Sequence, residues 1–151
     1  MLVFYCLYFN EKQLKRVSMK ISDVMSANVV TVDMDDRLTV VKNILDSAPF
    51  RHLLVVEDEK LQGIISDRDM LRCLSPFIGT QAESSRDMQT IDQRAHQVMT
   101  RSPMTINSEL PIREALLLML EHSIGCLPVV DNDEIVGIFT LHDGLKALLD
   151  N

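Results

Sequence analysis

The chain has no tryptophan, and its other aromatics are five Phe and two Tyr, of which Phe4, Tyr5, Tyr8 and Phe9 fall in the first nine residues. The remainder offers almost no rings for bases to stack on, which argues against a stacking platform for single-stranded nucleic acid. Positive charge is also scarce. Fifteen Lys and Arg against 22 Asp and Glu leave a net charge of −7, and such a chain repels a phosphate backbone unless its basic residues cluster. Cysteine is limited to Cys6, Cys73 and Cys126. An odd count without CxxC spacing suits neither a disulfide framework nor a zinc site, and points to small apolar thiols in a reducing, cytoplasmic setting. His122 and Cys126 stand four apart, but Cys126 opens an apolar strand-like run, so the two share no helical face for a metal. The apolar run Leu2 to Phe9 is eight residues long, too short to span a bilayer. It has neither a basic segment before it nor a small-residue cleavage site after it, so it is not a secretory signal.

What is present is enough for a packed core: 151 residues, 46% apolar and 25% charged, as one compact domain or two small, mutually dependent halves. The organising feature is a repeat. Phe50 to Asp69, FRHLLVVEDEKLQGIISDRD, returns as Ile124 to Asp143, IGCLPVVDNDEIVGIFTLHD, after a shift of 74 residues without a gap. Under the same shift Val24-Met25 falls on Val98-Met99, Thr31-Val32 on Thr105-Ile106, and Gly63, Ile64 and Asp69 on Gly137, Ile138 and Asp143. Self-similarity of this kind describes supersecondary units that bury their apolar faces against one another.

Each copy reads as a short Val-Met helical turn, a brief strand (Val30–Val32 or Met104–Ile106), a helix, two apolar strands joined by an acidic turn, and a closing helix. Leu38, Val41, Ile44 and Leu45 keep the spacing of one buried helical face, as do Ile112, Ala115, Leu116, Met119 and Leu120, with Pro111 at a first helical position. The strand pairs are Leu53–Val56 with Leu61–Ser66 and Leu127–Val130 with Ile135–Thr140. Their apolar character predicts strands covered on both faces, in an α/β fold of small mixed sheets each covered by two helices. The closing helices run over about Asp67–Leu74 and Leu141–Leu149.

The domain expectation is repeat one over 19–75, a linker over 76–93 and repeat two over 94–151. Pro76 and Gly79 stop the first unit, and Ser84-Ser85 cap a helix expected to reach Val98, with Met88, Ile91 and Ala95 on its apolar face. A linker this long is either packed or mobile and is the expected seat of regulatory movement. Residues 1–18 resemble neither repeat. They read as a docked segment, an interfacial anchor or, preferred here because the repeat begins almost at once after Met19, translation begun upstream of a natural start at Met19.

The two copies share a chemical pattern, Gly63-Ile-Ile-Ser66-Asp-Arg68-Asp69 and Gly137-Ile-Phe-Thr140-Leu-His142-Asp143. A hydroxyl followed three residues later by an acid is a helix-capping arrangement. The same geometry also fits a nucleotide: free amides face phosphate, the carboxylate accepts from ribose hydroxyls, glycine allows close approach, and Arg68 or His142 meets phosphate. Both readings stay open, and the duplication favours the second. Catalysis has no comparable support: there is no G-x-S-x-G, P-loop or histidine pair. His142 and Asp143, adjacent on a helix, diverge by about 100° and cannot form a dyad. The chain is therefore read as a non-enzyme.

The Val-Met opening, the Thr-Val strand, the Leu127-Pro128-Val-Val-Asp131 phrase and the G-h-h-[S/T]-x-x-D endings make the chain resemble a tandem pair of cystathionine-β-synthase (CBS) domains, a Bateman module, over residues 20–149. The resemblance implies β-α-β-β-α repeats about a pseudo-twofold axis, frequent homodimerisation, and adenosyl ligands in clefts between repeats. It implies ribose or phosphate contacts for Ser66, Asp69, Thr140 and Asp143, and base or phosphate contacts just before the L-P-V-V phrase, at Arg51 and His52 in copy one and Gly125 and Cys126 in copy two. Copy one gathers Arg51, His52 and Arg68, so a phosphate should prefer it, whereas copy two brings only His142. Copy one carries Leu54 where copy two carries Pro128, a departure from the family phrase that bears on how its backbone meets a base. The expected function is a stand-alone regulatory, energy-sensing module that needs no cofactor. It takes AMP, ADP or ATP as ligand and acts on an effector protein through rearrangement of the repeats. The alternatives are a ligand-free dimerisation or assembly module, or a binder of S-adenosylmethionine or NAD.

Overall fold

A computed structural model describes residues 19–150; the expectations for residues 1–18, including Cys6, lie outside the described residues. The chain forms two compact units that do not coincide with the two repeats. Among the described residues, one comprises Asn28–Met104 with Asp133–Ile135; the other comprises residues 19–27, Thr105–Asn132 and residues 136–150.

In the first unit, strand β1 (Thr31–Asp33), helix α1 (Leu38–Ser47), strands β2 (His52–Glu57) and β3 (Lys60–Ser66), helix α2 (Asp67–Cys73), helix α3 (Ser85–Ile91), the short helix α4 (Ala95–Val98) and strand β4 (Thr100–Arg101) come in that order. The sheet runs β1-β2-β3-β4, with β1 parallel to β2 and the other pairs antiparallel. Leu53, Leu54 and Val55 are all fully buried, as expected for a strand covered on both faces. Leu53, Val55 and Ile65 meet Leu38 and Val41 of α1, Met70 of α2, Ile91 of α3 and Ala95 and Met99 in one core. Asp58 and Glu59, which join β2 to β3, both have positive φ, the conformation that a tight two-residue hairpin demands.

The second unit holds the opening 3₁₀ turn Ile21–Asp23, helix α5 (Ile112–His122), strand β5 (Cys126–Asp131), strand β6 (Glu134–Thr140) from Val136 on, and helix α6 (Leu141–Leu149). Its core gathers Ile21, Ile106, Ile112, Ala115, Met119, Leu127, Val129, Phe139 and Ala147. The strand expected at Met104–Ile106 is reduced to one parallel bridge, Ile106 to Val129. Ile106 N donates to Pro128 O at 3.1 Å and Val130 N to Ile106 O at 2.8 Å. Beyond it the chain turns at once, with Leu110 N donating to Asn107 O. Leu120, expected on the buried face of α5, is 66% exposed.

An exchange of segments explains why units and repeats differ. Helices α1 and α5 begin at Arg37 and Pro111 without a side-chain cap, so their first amides need another acceptor. Leu38 N donates to Gln93 O at 2.8 Å, and Ile112 N donates to Met19 O at 3.1 Å. The stretch leading into each repeat's Val-Met turn thus finishes the helix of the other repeat. The same contact breaks the linker helix. Ser84 does cap α3, through a reciprocal bond with Asp87, but the helix stops at Ile91 and restarts at Ala95 rather than running on to Val98. Arg94 is extended there, bridged to Arg37, and Arg37 pairs with Asp92.

The exchange also gives the two motif glycines a role. A Cβ on Gly63 would lie 2.8 Å from Met99 Cγ and 2.9 Å from the Thr100 carbonyl, and one on Gly137 would lie 3.1 Å from both Met25 Cγ and the Ser26 carbonyl. Each glycine makes room for the methionine of the exchanged Val-Met turn. The close approach expected of a ligand is, at these positions, made by the protein itself.

Candidate functional site: two hydroxyl–carboxylate ledges

In the first unit, β3 ends at Ser66 and α2 begins at the next residue. Asp69 Oδ2 accepts from Ser66 N at 2.8 Å and from Ser66 Oγ at 2.6 Å, while Asp69 N donates to Ser66 Oγ at 3.3 Å. The second unit repeats this geometry: Asp143 Oδ2 accepts from Thr140 N at 2.8 Å and Thr140 Oγ1 at 2.7 Å, and Asp143 N donates back at 3.3 Å. Both motifs are therefore complete capping boxes. A further pair of bonds ties each ledge to the residue just before the first strand of its hairpin, β2 or β5. Asp67 N donates to Arg51 O at 3.0 Å and Leu141 N to Gly125 O at 3.1 Å.

The cap uses only half of each carboxylate. Oδ2 already accepts two hydrogen bonds, whereas Oδ1, with two lone pairs of its own, has none among the described residues. No buried side-chain oxygen there lacks a partner, so Oδ1 of Asp69 and of Asp143 must reach solvent. Each ledge can hold its helix and still present an acceptor oxygen to a donor from outside, such as a hydroxyl.

The basic residues divide. Arg51 is committed to Asp67, Nη1 to Oδ2 at 2.6 Å, with its side chain 77% exposed. That hydrogen bond is the main reason the Asp67 carboxyl is held below its ordinary value. Asp67 lies outside the residues that the sequence pattern singles out; the signal for it is that copy two has Leu141 in its place. Arg68 and His142 stand exposed one residue before each Asp. His52 is half-buried and lies opposite Ser66 in the β2–β3 register, so both side chains project from one face of the sheet. Burial pushes the His52 pKa down against the opposing pull of Asp67 and Asp69.

At the matching place in copy two stands Cys126. Burial, aided by Asp143, pushes its thiol up to about 12. At neutral pH it is an uncharged, buried wall beside the ledge. Pro128 is buried within β5, and its carbonyl is taken by Ile106. Thus Arg51, His52, Ser66, Arg68 and Asp69 gather in the first unit, and Cys126, Pro128, Thr140, His142 and Asp143 belong to the second.

The fold and its duplicated ledges define a tandem α/β repeat module, and comparison with known proteins gives its family. The CBS domain model matches residues 21–76 and 95–150, and the chain belongs to the CBS domain family. It is 32% identical over 132 residues to a CBS domain-containing protein of Dictyostelium discoideum, covering 85% of this chain and 90% of that one. Several other curated relatives are longer, and the chain spans less than half of each of these. Among solved structures, it superposes on the CBS domain of a CBS domain-containing membrane protein from Sphaerobacter thermophilus with a TM-score of 0.76 and 29% identity, over 89% of this chain and 91% of that one. CBSX2, solved in complex with AMP, shares the fold at a TM-score of 0.71 and 23% identity, over 87% and 96% of the two chains. No helix among the described residues is long and apolar enough to cross a membrane.

Proposed function

We propose that this chain is a regulatory module that binds an adenine nucleotide (AMP, ADP or ATP) and reports its level to an effector protein through a ligand-dependent rearrangement of the two repeats. The observation that carries this reading is the open Oδ1 of Asp69 and Asp143, a hydroxyl-seeking acceptor built twice beside a completed cap. AMP in a protein of the same fold supports the ligand class. A ligand acts this way only if it favours one arrangement of the pair over another. Homodimerisation fits the exposed Leu120, Leu145 and Leu149 of α5 and α6, an apolar surface that association would cover.

The finished capping boxes favour a second reading, a ligand-free assembly module. Substitution by Ala cannot separate the two, because losing the cap costs about 1 kcal/mol in either case. Asn can. Its carbonyl oxygen retains the cap, and its amide places a donor where Oδ1 accepted. In titration calorimetry with AMP, ADP and ATP, Asp69→Asn and Asp143→Asn are expected to keep the wild-type melting temperature and lose affinity by tenfold or more. Unchanged affinity, or no heat from the wild type at millimolar nucleotide, supports the assembly reading. Competition against S-adenosylmethionine and NAD ranks the adenosyl ligands.

A further inference from the structure

The two ledges differ at one position that faces them directly. In copy one it is His52, whose ring makes no hydrogen bond among the described residues and, not being a buried unpaired group, has nitrogens that reach solvent. In copy two it is Cys126, buried and uncharged. The charges felt at the His52 ring are those of Asp67, Asp69 and Arg68, all on α2. Arg51, at the edge of β2, is engaged with Asp67, and no charge from β1, α1 or β3 acts on the ring.

Resting on the nucleotide reading above, we propose that His52 couples ligand binding in the first repeat to proton uptake, so that an anionic phosphate is held more tightly as the pH falls, while the second repeat binds without this coupling. The physical course is simple. In the free protein the ring is neutral at pH 7.5, because burial outweighs the two carboxylates. A phosphate set beside Ser66 adds negative charge within reach of the ring and favours its charged form. The ring nitrogen then takes a proton from solvent, and one new charge-assisted hydrogen bond forms. An uncharged adenosyl ligand supplies no such field. The first repeat thereby distinguishes ligands by charge, and the distinction sharpens toward acid.

The test is titration calorimetry of wild type and His52→Gln with AMP and with adenosine, at pH 6.5 and 8.0, repeated at pH 7 in buffers of different ionisation enthalpy to count protons. The wild type is expected to bind AMP about three- to tenfold more tightly at pH 6.5 than at pH 8.0, relative to the variant, since each pKa unit gained is worth up to tenfold. Adenosine should show no such ratio. The phosphate's own titration near pH 6 affects both proteins alike. At pH 7 it releases protons on binding, opposite in sign to the uptake expected of His52, so the wild-type proton count decides the matter even if the variant folds poorly. Equal pH dependence in both proteins, or no proton uptake with AMP, overturns the coupling and leaves the nucleotide reading intact. No AMP binding at either pH overturns both.

Discussion

Replacing Gly63 by Ala tests whether the motif glycine serves the fold or a ligand. A Cβ there would lie 2.9 Å from the Thr100 carbonyl, which belongs to the β3–β4 ladder, as well as 2.8 Å from Met99 Cγ. The methionine can swing away, but the carbonyl cannot move without loosening the ladder. Overpacking of this kind costs about 1–3 kcal/mol, offset by about 0.4–1 kcal/mol of lost unfolded-state entropy. The net is about 1–2 kcal/mol, or a fall of about 2–8 °C in Tm for a domain of this size. Gly137→Ala should cost less, because its backbone neighbour, the Ser26 carbonyl, is at 3.1 Å. Thermal and urea melts of both variants measure the difference. A Gly63→Ala protein that melts at or above the wild-type temperature, or that keeps its Tm while losing nucleotide, would refute the argument that the exchanged turn claims this space.

Glu59→Gly should stabilise the chain by about 1 kcal/mol, because φ is 63° at a hairpin position that glycine occupies without strain; a urea midpoint that does not rise would contradict this. The Cys126 thiol, with a folded pKa of about 12, lies above its unfolded value of about 8.5. Its contribution is whole below the unfolded value and is lost as pH rises toward the folded one, at up to about 1.4 kcal/mol per pH unit. Melts from pH 8 to 11 should show Cys126→Ala flattening that alkaline loss. In native protein at pH 8, Cys73, only partly buried, should react with a thiol reagent well before Cys126.

The strands and their hairpins are legible in the sequence because their signals are local: apolar runs bounded by Asp-Glu or Asn-Asp turns, then a hydroxyl three residues before an acid. The caps at Ser66, Ser84 and Thr140 sit where the spacing places them. What escapes is set by partners distant in sequence. The acceptors for Leu38 N and Ile112 N, Gln93 and Met19, come from the other repeat's leading segment, so nothing near α1 or α5 announces them. That exchange divides the linker helix at Arg94 and explains Gly63 and Gly137 through methionines 36 and 112 positions away. At the ledges, the residue types are readable, but the division of labour within one carboxylate is not. That Oδ2 is consumed and Oδ1 is open is a matter of ångströms.

The most direct measurement is a crystal structure of the chain grown with AMP. The account predicts ribose hydroxyls within about 2.6–3.2 Å of Asp69 Oδ1 or Asp143 Oδ1, with both capping boxes unbroken. AMP bound elsewhere, with those two oxygens still facing water, would contradict it.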